Sequence, residues 1–209
     1  MRASGPIAIL PGEYDGPLEP QPVSDPEPVV VFAGRHIPEK RVGAIPPAVL
    51  RARQRLPGLR AKILGDGPDR DELRRSIAEL GLQGIIEAPG FVATEEVEHH
   101  MANAICLLLP SRREGYGMVV IEAAAYGTPS VVVAGPDNAA VELVEDGTNG
   151  FIARSASPDD LAAEIIRVAE DGRPLRERTA VWFADNARRH SLGRSLDVVL
   201  RVYAGSAAL

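Results

Sequence analysis

Cysteine is nearly absent from the chain. Cys106 is the only one in 209 residues, which excludes an internal disulfide framework. It lies in an apolar run, residues 105–109, where a buried small hydrophobic side chain is more common than a reactive thiol. No apolar run is long enough to span a bilayer, and the first residues lack the apolar core of a signal peptide. We therefore expect a cytoplasmic protein without a transmembrane segment.

An excess of basic residues is also missing. Lys and Arg total 23 against 29 Asp and Glu, which gives a formal net charge of -6. General binding to nucleic acid or to anionic membranes needs a basic surface, so no nucleic-acid partner is expected. A small cationic pocket for phosphate remains compatible with this charge. The four histidines show no ligand spacing with cysteine or carboxylate, so no metal site is predicted.

From residue 29 onward the chain alternates between apolar strand-like runs and helical segments. The predicted strands are residues 29–33, 60–64, 84–88, 104–109, 130–133 and 151–153. The predicted helices are a segment ending near 56, then 69–80, 94–102, 118–126, 138–144, a helix ending near 170, 174–189 and 193–203. Such alternation indicates right-handed crossovers and a parallel sheet covered on both faces. The fold class is therefore α/β, a Rossmann-like doubly wound sheet of about six strands.

Local signals refine these boundaries. Thr94 and Ser157 are predicted helix N-caps, because their hydroxyls can accept from free backbone N–H groups. Pro46 and Pro47 are tolerable only near the start of the first helix. Residues 11–28 are rich in proline and acid and are interpreted as an extended linker. The short run 7–10 before them resembles a strand with nothing local to pair with.

Two carboxylates, Glu114 and Glu122, bracket the most informative stretch. Between them a glycine-containing turn opens a helix, whose free N–H groups and dipole favour an anion. The cradle candidates are Gly115, Tyr116, Gly117, Met118 and Val119. A carboxylate one turn into the helix can accept hydrogen bonds from neighbouring hydroxyls. Phosphate beside hydroxyls describes a sugar nucleotide, although a tight strand-to-helix turn alone would also need glycine.

The two glutamates differ in their expected surroundings. The helix carrying Glu122 is nearly apolar all round, which predicts that it is buried and that its carboxylate needs partners. Glu114 lies in a loop, where a solvated side chain is the default. Paired carboxylates also occur in glycoside hydrolysis, where they flank the scissile bond.

Cations are predicted at the same edge of the sheet. Gly34 and Arg35 follow the first buried strand, and Lys40 lies five residues after Arg35. Arginine offers a bidentate fork and lysine a point charge, so together they suit a diphosphate. The alternative is ordinary surface charge on a loop. Because these cations lie beside them, Glu114 and Glu122 are interpreted as residues that position the sugar nucleotide rather than as an acid/base pair.

Six blocks of the sequence, taken in order, resemble one family. They are FAGRHIPEK (32–40), ILGDGP (63–68), PGFV (89–92), LPSRREGYG (109–117), IEAAAYGTP (121–129) and ELVEDGTNGF (142–151). The chain is similar to the C-terminal domain of retaining glycosyltransferases with the GT-B fold, family 4. The resemblance covers nearly everything from residue 28 onward. Arg41 departs from it, because a glycine is usual after the lysine.

The resemblance implies which residues would act on the diphosphate and on the transferred sugar. Arg35 and Lys40 would bind the donor diphosphate and stabilise it as the leaving group. Glu114 would contact hydroxyls of the transferred sugar, and the backbone N–H groups of residues 117–119 would reach sugar and phosphate. Gly34 would lie beside the donor. Such enzymes need no bound metal or other cofactor, because cationic side chains and the helix dipole supply the electrostatic stabilisation.

The resemblance also implies how the rest of the donor is held. Glu122 would hold the ribose hydroxyls, and the backbone around Phe91 and Val92 would touch the base of a UDP- or GDP-sugar. A GT-B enzyme has a second, acceptor-binding domain. Residues 1–27 are thus expected to be an interdomain segment from a missing N-terminal domain, and residues 28–209 a donor-binding domain with C-terminal helices.

Three functions stay open from the sequence. The favoured one is the donor-binding part of a hexosyltransferase, which alone would be an incomplete and inactive half. The second is a non-catalytic nucleotide-sugar-binding module or subunit that acts with a partner chain. The third is a different GT-B reaction, such as epimerisation or phosphorolysis, and it ranks low. Phosphorolysis with pyridoxal phosphate would need a Schiff-base lysine, whereas Lys40 and Lys62 are the only lysines and neither has a phosphorylase-like setting.

Overall fold

The core of the fold is one parallel sheet, seen in a computed structural model that describes residues 10–23 and 25–206. Its strands are β1 (Glu27–Ala33), β2 (Arg60–Leu64), β3 (Ile86–Gly90), β4 (Ala104–Leu109), β5 (Ser130–Val133) and β6 (Gly150–Ala153). Their order is β3-β2-β1-β4-β5-β6, and all neighbours are parallel. The predicted Rossmann-like class is confirmed. The third strand lies two residues later than predicted, because residues 82–85 form the turn that precedes it.

The central strand β4 is apolar along its whole length. All of β4 is buried, including Cys106, because helices cover both faces of a doubly wound sheet. β1 pairs with β2 on one side and with β4 on the other. The chain order reverses between β1 and β4, so this is the topological switch point, where such sheets bind ligands beyond their carboxyl ends.

Seven α-helices connect or follow the strands. They are α1 (Ile45–Ala52), α2 (Arg70–Glu79), α3 (Thr94–Asn103), α4 (Met118–Ala124), α5 (Pro158–Asp171), α6 (Arg173–Asn186) and α7 (Leu192–Ser206). Short 3-10 turns occupy Pro38–Lys40, Val42–Ala44 and Ala139–Leu143.

The first helix, α1, starts close to Pro46 as predicted but ends at Ala52 rather than near residue 56, and the stretch between β1 and α1 is not α-helical. Two 3-10 turns stand there, separated by Arg41 in a left-handed conformation with φ 50°. An αR helix cannot run through such a residue, which explains the interruption. Pro46 and Pro47 fall in the first turn of α1, as expected from their lack of an N–H donor. Residues 138–144, predicted as a helix, form only a 3-10 turn at Ala139–Leu143.

The two predicted caps have different outcomes. Ser157 caps α5, and its hydroxyl accepts from the Asp160 N–H at 3.2 Å. The prediction for Thr94 is wrong, because α3 begins at Thr94 itself. Ala93 is the capping residue, with an extended backbone whose carbonyl accepts from Glu96 and Val97.

Residues 10–23, which we call the N-terminal strap, lie extended against the domain. Tyr14 donates its N–H to His190 at 3.1 Å, and its carbonyl accepts from Leu192 at 2.8 Å. The Tyr14 ring meets Phe183 edge to face at 5.8 Å. Further along, Gln21 donates to the carbonyl of Ala125 beyond α4 at 2.7 Å. The strap therefore connects the corner between α6 and α7 with the end of α4. Of the strand predicted at 7–10, residues 7–9 lie outside the described residues, and Leu10 is in no strand.

A buried guanidinium joins three helices from inside. Arg176 on α6 is 1% exposed and makes four hydrogen bonds of 2.7–3.1 Å, to the carbonyls of Ala102, Ala104 and Tyr126 and to the Thr128 hydroxyl. Burial lowers the pKa of Arg176 to about 10, which leaves it charged at neutral pH. Since its acceptors follow α3 and α4, Arg176 fixes the ends of these helices against α6.

Candidate functional site

The loops after β1 and β4 meet at the switch point. The N–H of Arg112 donates to the carbonyl of Glu39 at 2.8 Å, which joins the two loops through their backbones. Their side chains are joined as well, because Lys40 Nζ lies 2.5 Å from Glu114 Oε2. The predicted cation and the predicted sugar-binding carboxylate are therefore partners.

Glu114 is not solvated, contrary to the expectation for a loop residue. Its side chain is 6% exposed, and that of Lys40 is 19% exposed. The second carboxylate oxygen, Oε1, accepts from the hydroxyl of Ser111 at 2.8 Å. Desolvated charges need partners of this kind, so Glu114 holds a defined orientation.

Arg35 stands apart from this pair. It is exposed and forms no salt bridge within the described part of the chain. It lines a depression of about 270 Å³ together with Gly34, Phe91 and Val92. Four of the predicted site residues thus share one concave surface, and Phe91 is 86% exposed at its edge. An uncompensated arginine beside an exposed aromatic ring suits an anion that carries a planar group.

The turn that leads into α4 requires glycine at one position. Gly117 has φ 71°, and a Cβ there would lie 2.8 Å from Ala140 Cα. Gly115 has open space around it. Gly115, Tyr116 and Met118 line a cavity of about 490 Å³, whereas Val119 is half-buried and is not part of its lining.

The helix that carries Glu122 buries Val120, Ile121, Ala123 and Ala124, as predicted for its apolar face. Glu122 itself is exposed, contrary to the expectation that its carboxylate would need partners within the protein. Among the described residues it has no hydrogen-bond or ion-pair partner, and it faces a groove of about 500 Å³. Phe91 and Val92 line the same groove, with Tyr14 of the strap on its wall. Although the carboxyl is open to the groove, protein encloses its other sides, and this burial raises its pKa, helped by the negative charge of Glu98.

Sequence reasoning missed three polar residues near this edge. Ser111 and Asn138 are buried and hydrogen-bonded to the loops that carry Glu114. The signals for Ser111 are its place three residues before Glu114 and its inclusion in the block LPSRREGYG (109–117). His36 follows Arg35 and is fully buried. Among the described residues neither ring nitrogen makes a hydrogen bond of good geometry, although the Leu64 backbone lies near enough to the ring to favour its charged form.

The charge state of His36 follows from its surroundings. Burial lowers its pKa from the ordinary 6.5, and Arg70 acts in the same direction. The carboxylates of Asp66 and Asp69 oppose this effect without overcoming it. His36 is therefore neutral in the folded protein at physiological pH.

Two features are absent from residues 10–23 and 25–206. No group of three or more His, Cys, Asp or Glu side chains is arranged to hold a metal ion. None of the described helices is both long and apolar enough to cross a membrane.

A family model described as glycosyl transferases group 1 matches residues 18–189. The chain belongs to this family. Among its relatives, an alpha-D-kanosaminyltransferase of Streptomyces kanamyceticus is 31% identical over 180 residues, covering 86% of this chain and 46% of the relative. A GDP-mannose-dependent alpha-(1-6)-phosphatidylinositol monomannoside mannosyltransferase of Mycolicibacterium smegmatis is 32% identical over 187 residues, with 83% and 47% covered.

Solved structures show the same fold. The Anabaena protein Alr3699/HepE, solved in complex with UDP-glucose, aligns with TM-score 0.72 and 26% identity over 90% of this chain and 50% of its own. A TarM variant of S. aureus, in complex with UDP among other ligands, aligns with TM-score 0.79 over 90% of this chain and 38% of its own. At 18% identity the second likeness shows the fold alone. The chain spans about half the length, or less, of each of these four proteins.

Proposed function

We propose that this chain is the donor-binding part of a retaining glycosyltransferase and binds a nucleoside-diphosphate sugar at the carboxyl edge of its sheet. The observation that carries the proposal is the Lys40–Glu114 pair at the switch point of a group 1 glycosyltransferase domain. Arg35, which forms no salt bridge within the described part of the chain, lies on the same loop after β1. Relatives that use GDP-mannose and a structure that holds UDP-glucose support this class of donor.

The charges suit a diphosphate that becomes a leaving group. Arg35 and Lys40 would neutralise the charge that develops on the phosphate when the sugar departs, which is where electrostatic stabilisation lowers a barrier most. Gly117 and the first N–H groups of α4 would add donors without charge. Glu114 would accept from sugar hydroxyls through its remaining lone pairs.

The groove beside α4 suits the nucleoside. Glu122 would accept from the ribose hydroxyls, for which an unpartnered carboxylate facing the groove is available. Phe91 and Val92 would border the base, since both line the groove as well as the depression near Arg35. The two concave surfaces adjoin at these residues, as one elongated ligand requires.

We further propose that the acceptor is held by another domain and that residues 1–27 connect to it. The relatives are about twice as long as the matched region, which supports a second domain in the whole enzyme. On this proposal, the 209-residue chain binds donor but does not transfer sugar efficiently alone.

The test is calorimetric titration of the chain with UDP, GDP and ADP and with UDP-glucose and GDP-mannose. Arg35→Ala should weaken binding of the preferred nucleotide about 10- to 100-fold, because a charge-assisted hydrogen bond contributes about 1.5–3 kcal/mol. Lys40→Ala should weaken it similarly.

Matched controls are available for both variants. Arg74→Ala removes an exposed arginine from α2, and Lys62→Ala removes a lysine that also pairs with a glutamate at 2.5 Å, Glu87. Both should bind like the wild type. Folded protein that binds none of the nucleotides would overturn the proposal.

A further inference from the structure

We propose that Ser111 is a positioning residue that fixes the Glu114 carboxylate between Lys40 and the sugar site. The role of Glu114 toward the sugar donor rests on the proposed function. The way in which Glu114 is held in place follows from contacts within the protein and is independent of that function.

The Glu114 carboxylate is held at both oxygens. Oε2 pairs with Lys40 Nζ, and Oε1 accepts from Ser111 Oγ at 2.8 Å. An ionised carboxylate has about four lone-pair sites, so two contacts orient it and leave acceptor capacity for a ligand. With the Lys40 contact alone, the group could rotate about a single point charge on a flexible stem.

Ser111 is built into the protein for this contact. It is fully buried, and Glu114 is the acceptor of its hydroxyl. Its carbonyl accepts from Asn138 Nδ2 at 3.2 Å, and the same nitrogen donates to the carbonyl of Val133 at 2.8 Å. Asn138 thereby ties the backbone after β4 to the end of β5.

The backbone of Glu114 is fixed by the same segment. Its N–H donates to Asp137 at 3.1 Å, and its carbonyl accepts from Ala139 at 3.2 Å. Asn138 Oδ1 accepts from the N–H of Ala140, the residue that packs against Gly117. The loop after β5 therefore fixes the position of the Glu114 backbone and of the turn that leads into α4. Ser111 is the side chain that links this loop to the Glu114 carboxylate.

The lysine content of the chain permits a site-specific test. Lys40 and Lys62 are the only lysines, and each pairs with a glutamate at 2.5 Å with 19% and 23% side-chain exposure. The protein is treated with a limiting amount of an amine-reactive acetylating reagent, and its peptides are analysed by mass spectrometry. The result is the ratio of the acetylation rates of Lys40 and Lys62. Lys62 thus serves as an internal standard, and no ligand is needed.

Ser111→Ala should raise the Lys40/Lys62 ratio by at least about fivefold, because a lost hydrogen bond changes such an equilibrium by about that factor. Glu114→Ala sets the upper limit. Thr179→Val is the control, since it removes an equally buried hydroxyl on α6, bonded to Leu175 at 2.8 Å, and should leave the ratio unchanged.

The inference would be overturned if Ser111→Ala had the same Lys40/Lys62 acetylation ratio as the wild type. It would also be overturned if Glu114→Ala left that ratio unchanged. Affinities for UDP and UDP-glucose, or GDP and GDP-mannose, then separate this failure from failure of the proposed function. Ser111→Ala should retain affinity for the nucleotide and lose the extra affinity that the sugar provides. Absence of nucleotide binding in the wild type would refute the proposed function alone, while the lysine ratio would still decide the role of Ser111.

Discussion

Replacement of Gly117 by alanine tests whether the turn into α4 has the geometry described. The backbone of Gly117 is left-handed, with φ 71°, and the new Cβ would lie 2.8 Å from both Cα and Cβ of Ala140. Neither atom belongs to a flexible side chain, so the clash can be relieved only by moving the loop after β5 or the start of α4. Both movements displace the proposed anion cradle.

The magnitude follows from two contributions. A non-glycine residue in the left-handed region costs about 1–2 kcal/mol. Overpacking against a well-packed neighbour costs typically about 1–3 kcal/mol. Gly117→Ala should therefore lower the free energy of unfolding by about 2–5 kcal/mol, and the fraction that folds should bind nucleotide more weakly.

Urea denaturation followed by fluorescence of Trp182 measures this change, and calorimetry measures the affinity. Gly115→Ala is the matched control, since that glycine lies two residues earlier with open space around it and without a positive φ. It should change stability by less than about 1 kcal/mol. A Gly117→Ala variant within 0.5 kcal/mol of the control would refute the reasoning, on the scale of ordinary surface substitutions (about ±0.5 kcal/mol).

Two further predictions concern buried polar groups. Arg176→Met should lower the free energy of unfolding in urea by at least about 3 kcal/mol, because it leaves three carbonyls and the Thr128 hydroxyl without their donor; a loss below about 1 kcal/mol would contradict this. His36→Leu should stabilise the protein and flatten its pH dependence below 6.5. The lowered pKa of His36 means that the unfolded chain binds a proton first as pH falls through 6.5, so wild-type stability drops there by at most about 1.4 kcal/mol per pH unit for this group. His100, whose pKa is also lowered, should leave a residual slope in denaturation curves between pH 7 and 5.

The sheet was predictable because its strands are defined by local pattern. The run Ala104–Leu109 is continuously apolar, and the structure buries all of it at the centre of the sheet. Glycine at 117 and the apolar helix after it placed the turn and α4 correctly. Where the prediction failed, a single residue determines the local structure. Ala93 is the cap of α3, although Thr94 could also fill that position, and Arg41 adopts a left-handed conformation that its residue type does not indicate.

The candidate site was predictable residue by residue but not as an arrangement. Lys40 and Glu114 are 74 positions apart, and nothing local shows that they form an ion pair. The contact of Ser111 with Glu114 depends on the loop after β5. That loop is distant in sequence from both residues, so the local sequence around them does not show it. Likewise, the groove beside Glu122 has a wall from the strap, whose prolines indicated only an extended segment.

That wall is built from a segment outside the sheet. The strap contributes residues 13–17 to the groove, yet at Tyr14 it is tied to His190 and Leu192 rather than to the sheet. The groove is therefore completed by a segment that is anchored on the C-terminal helices. As a consequence, residues as distant in sequence as His190 and Leu192 help to define the surface on which the proposed nucleoside would lie.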